Sequence, residues 1–331
     1  MNILFLVGSS GGEVETAELS PKSIVSTATV YNYFIRTELA RMDGVTTATQ
    51  RFPIFKSASD VERYYDENPI IPADHVVCLE QRGFQKNHPE VFKRFREKIP
   101  GVVAAICDHD QLIGPEDILF HVQQTRHYPV NTKSVQVTWA ASPLFCYPEK
   151  ELGTLNILVD HNHYHGEDRT TEILDQISEF ALGDFLNIGS RYGYSKIKIR
   201  QFVSGGIADI EPGRNMNLGG YNRKGMPFTD ACSEYRKADI FFVTHAESMG
   251  LSVIECAMSG ALIVTPHGCI NPFLIEPLNH LVWDDRFDME EVLAAIDPGY
   301  SASCAAPFNW QRLATTILNH CRLFGREPFN L

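Results

Sequence analysis

Short apolar runs alternate along this chain with longer stretches whose apolar residues recur at helical spacing. Buried strands are predicted over 3–7, 75–79, 102–106 and 135–139, and then over 155–159, 197–203, 239–243 and 261–264. Between the first two strands, one helix face is marked by Ala28, Tyr31, Ile35, Leu39 and Met42. Strands that alternate with helices predict parallel, doubly wound sheets, and two successive series predict two Rossmann-like α/β domains.

The charged segment Pro148-Glu-Lys-Glu-Leu-Gly153 interrupts the pattern between the two series. We therefore predict an amino-terminal domain over 1–150 and a carboxyl-terminal domain over 151–308, facing each other across a ligand cleft at the carboxyl ends of their strands. A final helix is predicted within 309–331, because one stripe is apolar there: Trp310, Leu313, Ala314, Ile317, Leu318, Cys321 and Phe324.

Composition excludes several classes of protein. The 331 residues are 44% apolar and 21% charged, which is typical of a soluble globular chain, and the net charge of −12 argues against general nucleic-acid binding. Eight cysteines without a Cys-x-x-Cys pair favour a reducing compartment over a disulfide framework or a zinc site. We expect a cytoplasmic protein, since no apolar run approaches a membrane span and the first seven residues are too short for a signal peptide.

The segment Glu247-Ser-Met-Gly-Leu-Ser-Val-Ile-Glu255 carries the clearest chemistry. It lies between a predicted strand and a predicted helix, with a carboxylate at each end and a glycine turn between them. The start of a helix favours an anion, because its free N–H groups and the helix dipole both point outward. Carboxylates accept hydrogen bonds from hydroxyls. Together these features predict a ligand with both phosphates and hydroxyls, such as a nucleotide sugar.

This segment, with the glycine and apolar strand that follow it, resembles the signature of retaining glycosyltransferases of family four, which have the GT-B fold. Three further stretches are similar to the same family in the same order: 102–110, ending in His109-Asp110; 228–239, ending in Ala-Asp; and Phe308-Asn-Trp310. The compact chain is also similar to members encoded by large DNA viruses of algae. If it is virus-encoded, the host cytoplasm is its expected location.

The resemblance implies a retaining hexosyltransferase that needs neither metal nor cofactor. Its donor is a nucleotide sugar, GDP-mannose before UDP-glucose, and its acceptor is a hydroxyl of a glycan, a protein-linked glycan or a lipid-linked sugar. The donor would bind the second domain and the acceptor the first, and the last helix would cross back to the first domain. Membrane contact and a homodimer are left open.

The acidic pair has distinct roles by this resemblance. Glu255 is expected to hold the donor ribose, and Glu247 the hydroxyls of the transferred sugar. Backbone N–H groups of Met249, Gly250 and Leu251 are expected to meet the sugar and the diphosphate, with Gly250 allowing close approach and unusual backbone angles. For each Glu the alternative is an ordinary helix carboxylate.

The cations of the phosphate site depart from the family pattern. The family's Arg after the first strand of the second domain is missing, and His161 is its nearest equivalent. Arg169 matches the family's Lys by its spacing to an Ile-Leu pair and suits bidentate phosphate binding. In the first domain, His109 is expected to stabilise charge near the reacting carbon, with its ring oriented by Asp110.

Five further residues are weaker candidates for donor contact. Gly11 and Gly12 match the family's amino-terminal glycine loop, but they form neither a P-loop nor a dinucleotide fingerprint. Gly205 and Gly206 follow a predicted strand and would flank the nucleotide. Phe228 occupies the place of the base-contact loop.

Several alternatives stay open. His161, His163 and His165 at alternate positions could hold a metal, but no acidic or Cys cluster is near them in the sequence. Asp108 and Asp110 form an Asp-x-Asp pair, but that metal motif belongs to the other major glycosyltransferase fold, which lacks the Glu pair. A nucleotide-sugar epimerase shares a related fold but needs an acid–base pair that is not evident. A non-catalytic nucleotide-sugar-binding protein is the alternative outside enzymes, and the missing Arg keeps it open. An oxidoreductase is disfavoured by the lack of a glycine fingerprint.

Overall fold

The computed structural model of the chain consists of two compact units. The first comprises the described residues up to Thr138 together with Trp310–Phe324, and the second comprises those of Trp139–Asn309. The sequence prediction placed these boundaries after residues 150 and 308. The structure describes residues 1–8, 27–52, 55–78, 89–107, 117–121, 134–160, 169–203, 206–213, 226–245, 250–270 and 272–324.

The first unit is built on a parallel six-stranded sheet of order β2-β1-β3-β4-β5-β6. Its strands are β1 Asn2–Gly8, β2 Thr46–Phe52, β3 His75–Cys78, β4 Val103–Cys107, β5 Ile118–His121 and β6 Ser134–Gln136. Its helices are α1 Thr27–Ala40, α2 Ala58–Glu67, α3 Pro89–Lys98 and the last helix of the chain, α11 Trp310–Phe324.

Helices cover this sheet on both faces because its strands carry apolar side chains on both faces. Leu4, Leu6 and Val76 pack in one core cluster with Val61 of α2 and Phe95 of α3. Alternation along β1 sends Ile3 and Phe5 to the other face, where α1 lies.

The final helix belongs to the first unit and packs on α1. Trp310 is 2% exposed, and its ring stacks on Phe34 with 5.3 Å between centroids and 7° between planes. At the middle of the helix, Ile317 is fully buried. The apolar stripe predicted from the sequence is therefore the face that buries this helix.

The second unit has a six-stranded sheet of order β12-β11-β10-β7-β8-β9. Its strands are β7 Thr154–Val159, β8 Lys196–Val203, β9 Gly206–Asp209, β10 Ile240–Phe242, β11 Leu262–Pro266 and β12 His280–Trp283. Its helices are α4 Thr170–Leu182, α5 Phe185–Arg191, α6 Phe228–Lys237, α7 Leu251–Met258, α8 Pro272–Ile275, α9 Met289–Ala294 and α10 Pro298–Ala305. All neighbouring strands are parallel except β8 and β9, so the predicted parallel, doubly wound sheet is found with one antiparallel strand added at its edge.

Helices α4, α5 and α9 share one core cluster with alternate residues of the strands, including Ile157, Phe242 and Val264. Helix α7 packs against α6 and α10 instead. Strands β7 and β10 lie side by side in the centre of the sheet. From β7 the following strands are added towards one edge, and from β10 they are added towards the other. In doubly wound sheets, ligands bind beyond the carboxyl ends of strands at such a switch point.

The amino ends of the central strands are joined by a buried carboxylate. Asp239 is 3% exposed, and its Oδ2 accepts a hydrogen bond of 2.8 Å from the backbone N–H of Asn156. Nearby, Lys150 donates to the carbonyl of Ala238. Burial raises the pKa of Asp239 to about 6 and lowers the pKa of Lys150 to about 8.

Candidate functional site

The carboxyl edge of the second sheet gathers the segments that the sequence analysis singled out. Parallel strands β7, β10, β11 and β12 all end there, and α4 and α7 both begin there. The backbone N–H of Arg169, just before α4, donates to the carbonyl of Thr244 beyond β10 at 2.8 Å. The starts of two helices are therefore brought to one edge, although they lie far apart in the sequence.

Helix α7 begins after the glycine turn of the acidic motif. Gly250 precedes Leu251 with φ −56° and ψ 148°, angles that are open to any residue. The expectation of unusual backbone angles at Gly250 is therefore wrong, and the missing side chain remains as its distinctive feature. The N–H of Val253 donates to the carbonyl of Gly250 at 3.1 Å. A glycine at the cap offers no side-chain acceptor to the first turn, and the helix dipole favours an anion there.

Glu255 lies in the second turn of α7, and its side chain is 1% exposed. The alternative that it is a solvated helix carboxylate is wrong. Burial raises the pKa of the adjacent Cys256 thiol well above its ordinary value, and the carboxylates of Glu255 and Asp160 raise it further. Asp160 directly follows β7 and is fully buried. Burying a carboxylate costs free energy, so the burial of Glu255 in α7 favours a dedicated role for this side chain.

Arg169 is bound within the protein on every side that the structure describes. Its Nε and Nη2 donate to the two carboxylate oxygens of Glu172 at 2.7 and 2.6 Å, and its Nη1 donates to the carbonyl of Asp284 at 2.6 Å. The guanidinium also lies 4.1 Å from the ring centroid of Trp283. The hydrogen bonds to Glu172 are the main cause that raises the pKa of Arg169. The guanidinium of Arg169, which was expected to bind a phosphate, thus binds a carboxylate of the chain itself.

A histidine–carboxylate pair at the same edge was missed by the sequence analysis. His267 follows β11, and its Nδ1 lies 3.0 Å from Oδ1 of Asp284, which follows β12. Its backbone N–H donates to the carbonyl of Trp283 at 2.7 Å. The ring is 73% exposed and the carboxylate 78%. The available signal was a polar residue directly after each of two strands, the buried β11 and the partly exposed β12.

Two of the weaker candidates have structural surroundings that do not depend on a ligand. Gly206 is the first residue of β9, paired with Val203, and a Cβ added there would meet nothing within 4 Å. Phe228 begins α6 and is 3% exposed, with its ring edge-on to Phe145 at 5.5 Å. A core position of this kind does not support the expected contact of Phe228 with a base.

The remaining predicted residues lie outside the described part of the chain: Gly11, Gly12, His109, Asp110, His161, Gly205, Glu247 and Met249. Both metal alternatives, 108–110 and 161–165, lie outside it too. Among the described residues, no group of three or more His, Cys, Asp or Glu side chains is placed to hold a metal ion. Over the same residues, no helix is long and apolar enough to cross a membrane.

No protein-family model and no curated protein sequence matches this chain. Several solved structures share its fold, and two of them are compared with it. AviGT4, a glycosyltransferase involved in avilamycin A biosynthesis, has a TM-score of 0.54 and 11% identity over 98% of this chain and 98% of its own. Anabaena Alr3699/HepE in complex with UDP-glucose has a TM-score of 0.54 and 9% identity, over 97% of this chain and 100% of its own.

These likenesses establish the fold class. At 11% and 9% identity, each likeness is one of fold alone. The predicted class, with two Rossmann-like units each built on a largely parallel sheet, is therefore confirmed.

Proposed function

We propose that this protein is a retaining glycosyltransferase that moves a hexose from a nucleoside-diphosphate sugar to a hydroxyl acceptor. The observation that carries the proposal is the buried carboxylate of Glu255 in the second turn of α7, a helix that begins at the carboxyl edge of the second sheet. An anion-favouring helix start and a carboxylate acceptor in one place suit a ligand with phosphates and hydroxyls. The GT-B fold supports the same class.

The second unit would bind the donor, and the first unit the acceptor, which we expect to be a glycan, a protein-linked glycan or a lipid-linked sugar. The family resemblance favours GDP-mannose as donor. The HepE structure contains UDP-glucose, which makes that sugar nucleotide the second donor to test.

The reaction breaks the bond between the anomeric carbon and the diphosphate and forms a bond from that carbon to the acceptor oxygen on the same face. The acceptor proton passes to the departing phosphate. Glu247 would hold the transferred sugar, and His109, oriented by Asp110, would stabilise charge at the anomeric carbon. N–H groups at the start of α7, with Arg169 and His161, would meet the diphosphate without a metal.

Titration calorimetry with a panel of nucleotide sugars and free nucleoside diphosphates tests the proposal. Glu255→Gln should weaken nucleoside-diphosphate binding about 10- to 150-fold, the equivalent of roughly 1.5–3 kcal/mol for a hydrogen bond to a charged group. Glu247→Gln should reduce turnover more than nucleotide binding, because its partner is the sugar. Glu151→Gln, which removes a carboxylate paired with Lys198 at the amino end of the same sheet, is the control. Equal binding losses in the Glu255 and Glu247 variants would contradict these roles.

A further inference from the structure

Two contacts from the end of β12 hold the guanidinium of Arg169 and leave its Nε–Nη2 edge to a third partner. Trp283 covers one face, with 4.1 Å from the guanidinium carbon to the ring centroid, and the carbonyl of Asp284 accepts from Nη1 at 2.6 Å. These two contacts come from the end of β12 and do not involve Nε or Nη2. Those two nitrogens form the side-on fork with which arginine binds carboxylates and phosphates in bidentate fashion.

The carboxylate of Glu172 now fills that fork. Both of its oxygens are engaged, at 2.7 Å from Nε and 2.6 Å from Nη2. Glu172 is three residues after Arg169 in the first turn of α4, and its side chain is 38% exposed against 24% for that of Arg169. A partly exposed side chain of this length can rotate into solvent without a change in the helix, so a ligand anion can replace its carboxylate.

We propose that Glu172 is an internal competitor for the anion site of Arg169, and that a phosphate group of the ligand displaces it. Trp283 and Asp284 would keep the guanidinium in place during the exchange. Identifying that phosphate with the donor diphosphate rests on the proposed function. A multiply charged phosphate can displace a singly charged carboxylate, whereas a carboxylate ligand gains nothing over Glu172. The competitor would therefore bias the site towards phosphorylated ligands.

Glu172→Gln removes the competing charge and keeps the shape of the side chain. By calorimetry, the affinity of this variant for a nucleoside diphosphate and for inorganic pyrophosphate should rise about 3- to 10-fold. This is the scale of a single bidentate ion pair that is partly exposed. Affinity for the unphosphorylated nucleoside should not change. Glu172→Ala serves as a second variant, and thermal unfolding confirms that each is folded. The gain should shrink at high salt, since a partly exposed pair is screened.

Glu179→Gln is the matched control, because it makes the same charge change on the same helix. Glu179 pairs with Arg286 at 2.7 Å, seven residues and therefore about 10 Å further along α4. The affinity of the Glu179→Gln variant for the phosphate ligands should stay within about twofold of wild type, because the charge it removes is screened at that distance. In an Arg169→Gln background, Glu172→Gln should bring no gain, which completes a double-mutant cycle.

Wild-type affinity for both phosphate ligands in the folded Glu172 variants overturns the proposal, as does an equal gain in Glu179→Gln or a gain that persists without Arg169. If no nucleotide binds the wild-type protein, the proposed function fails, and pyrophosphate still decides the role of Glu172. A gain with pyrophosphate supports the displaceable carboxylate, and its absence there refutes it. A gain with pyrophosphate alone identifies a free phosphate as the occupant.

Discussion

The buried carboxylate of Asp239 should make stability depend on pH in an unusual direction. Burial is the main cause that raises its pKa from 3.8 to about 6, while Asn156, Lys150 and Arg200 oppose the shift. The raised pKa means that the unfolded chain releases this proton at a lower pH than the folded chain does. Between these two pKa values the folded state binds more protons, so the contribution of Asp239 to stability falls as pH rises.

The size of the effect follows from the two pKa values. Linkage predicts that ionisation of Asp239 lowers the free energy of unfolding by about 1 kcal/mol at about pH 4.5 and by about 3 kcal/mol at about pH 7.5. The reference is a protein in which this group does not ionise. Asp239→Asn removes the ionisation and keeps an oxygen that can accept from Asn156. The stability of this variant relative to wild type should therefore increase by about 2 kcal/mol between the two pH values.

Urea unfolding of both proteins at the two pH values measures this difference. Asp74→Asn is the control, because Asp74 accepts a similar hydrogen bond, 2.7 Å from the backbone N–H of Asn2, between β1 and the turn before β3. Its side chain is 51% exposed, so the same exchange there removes little desolvation. A stability difference between Asp239→Asn and wild type that is equal at both pH values would refute the reasoning.

Two further predictions test the first unit and the chemistry. Trp310→Ala should destabilise the protein by about 3–5 kcal/mol in urea unfolding, because a buried aromatic ring stacked on Phe34 leaves a cavity; Leu323→Ala on the same helix, where the side chain is 68% exposed, should stay within about 0.5 kcal/mol. Transfer should survive EDTA; activity lost with chelator and restored by Mn²⁺ or Mg²⁺ would point to 108–110 or 161–165 as ligands.

Burial explains which elements the sequence predicted. Strands β7, β10 and β11 are buried along their whole length, so their apolar runs are continuous. Strands β2, β5, β9 and β12 were missed. Three of them, β2, β9 and β12, lie at the edge of a sheet, where one side has no neighbouring strand, whereas β5 is internal but only four residues long. Strand β2, with the sequence Thr-Thr-Ala-Thr-Gln-Arg-Phe, has no apolar run to detect.

The candidate site also has one part that local sequence predicts and another that it does not. Local sequence was sufficient to place Gly250 and Glu255 at the start of a helix after a buried strand, because a turn and a periodic pattern are properties of neighbouring residues. Only the tertiary structure decided that Glu255 is buried and that Arg169 meets Asp284, 115 positions away. Strand order brings those partners together, and strand order depends on which apolar faces pack, which no local stretch of the sequence specifies.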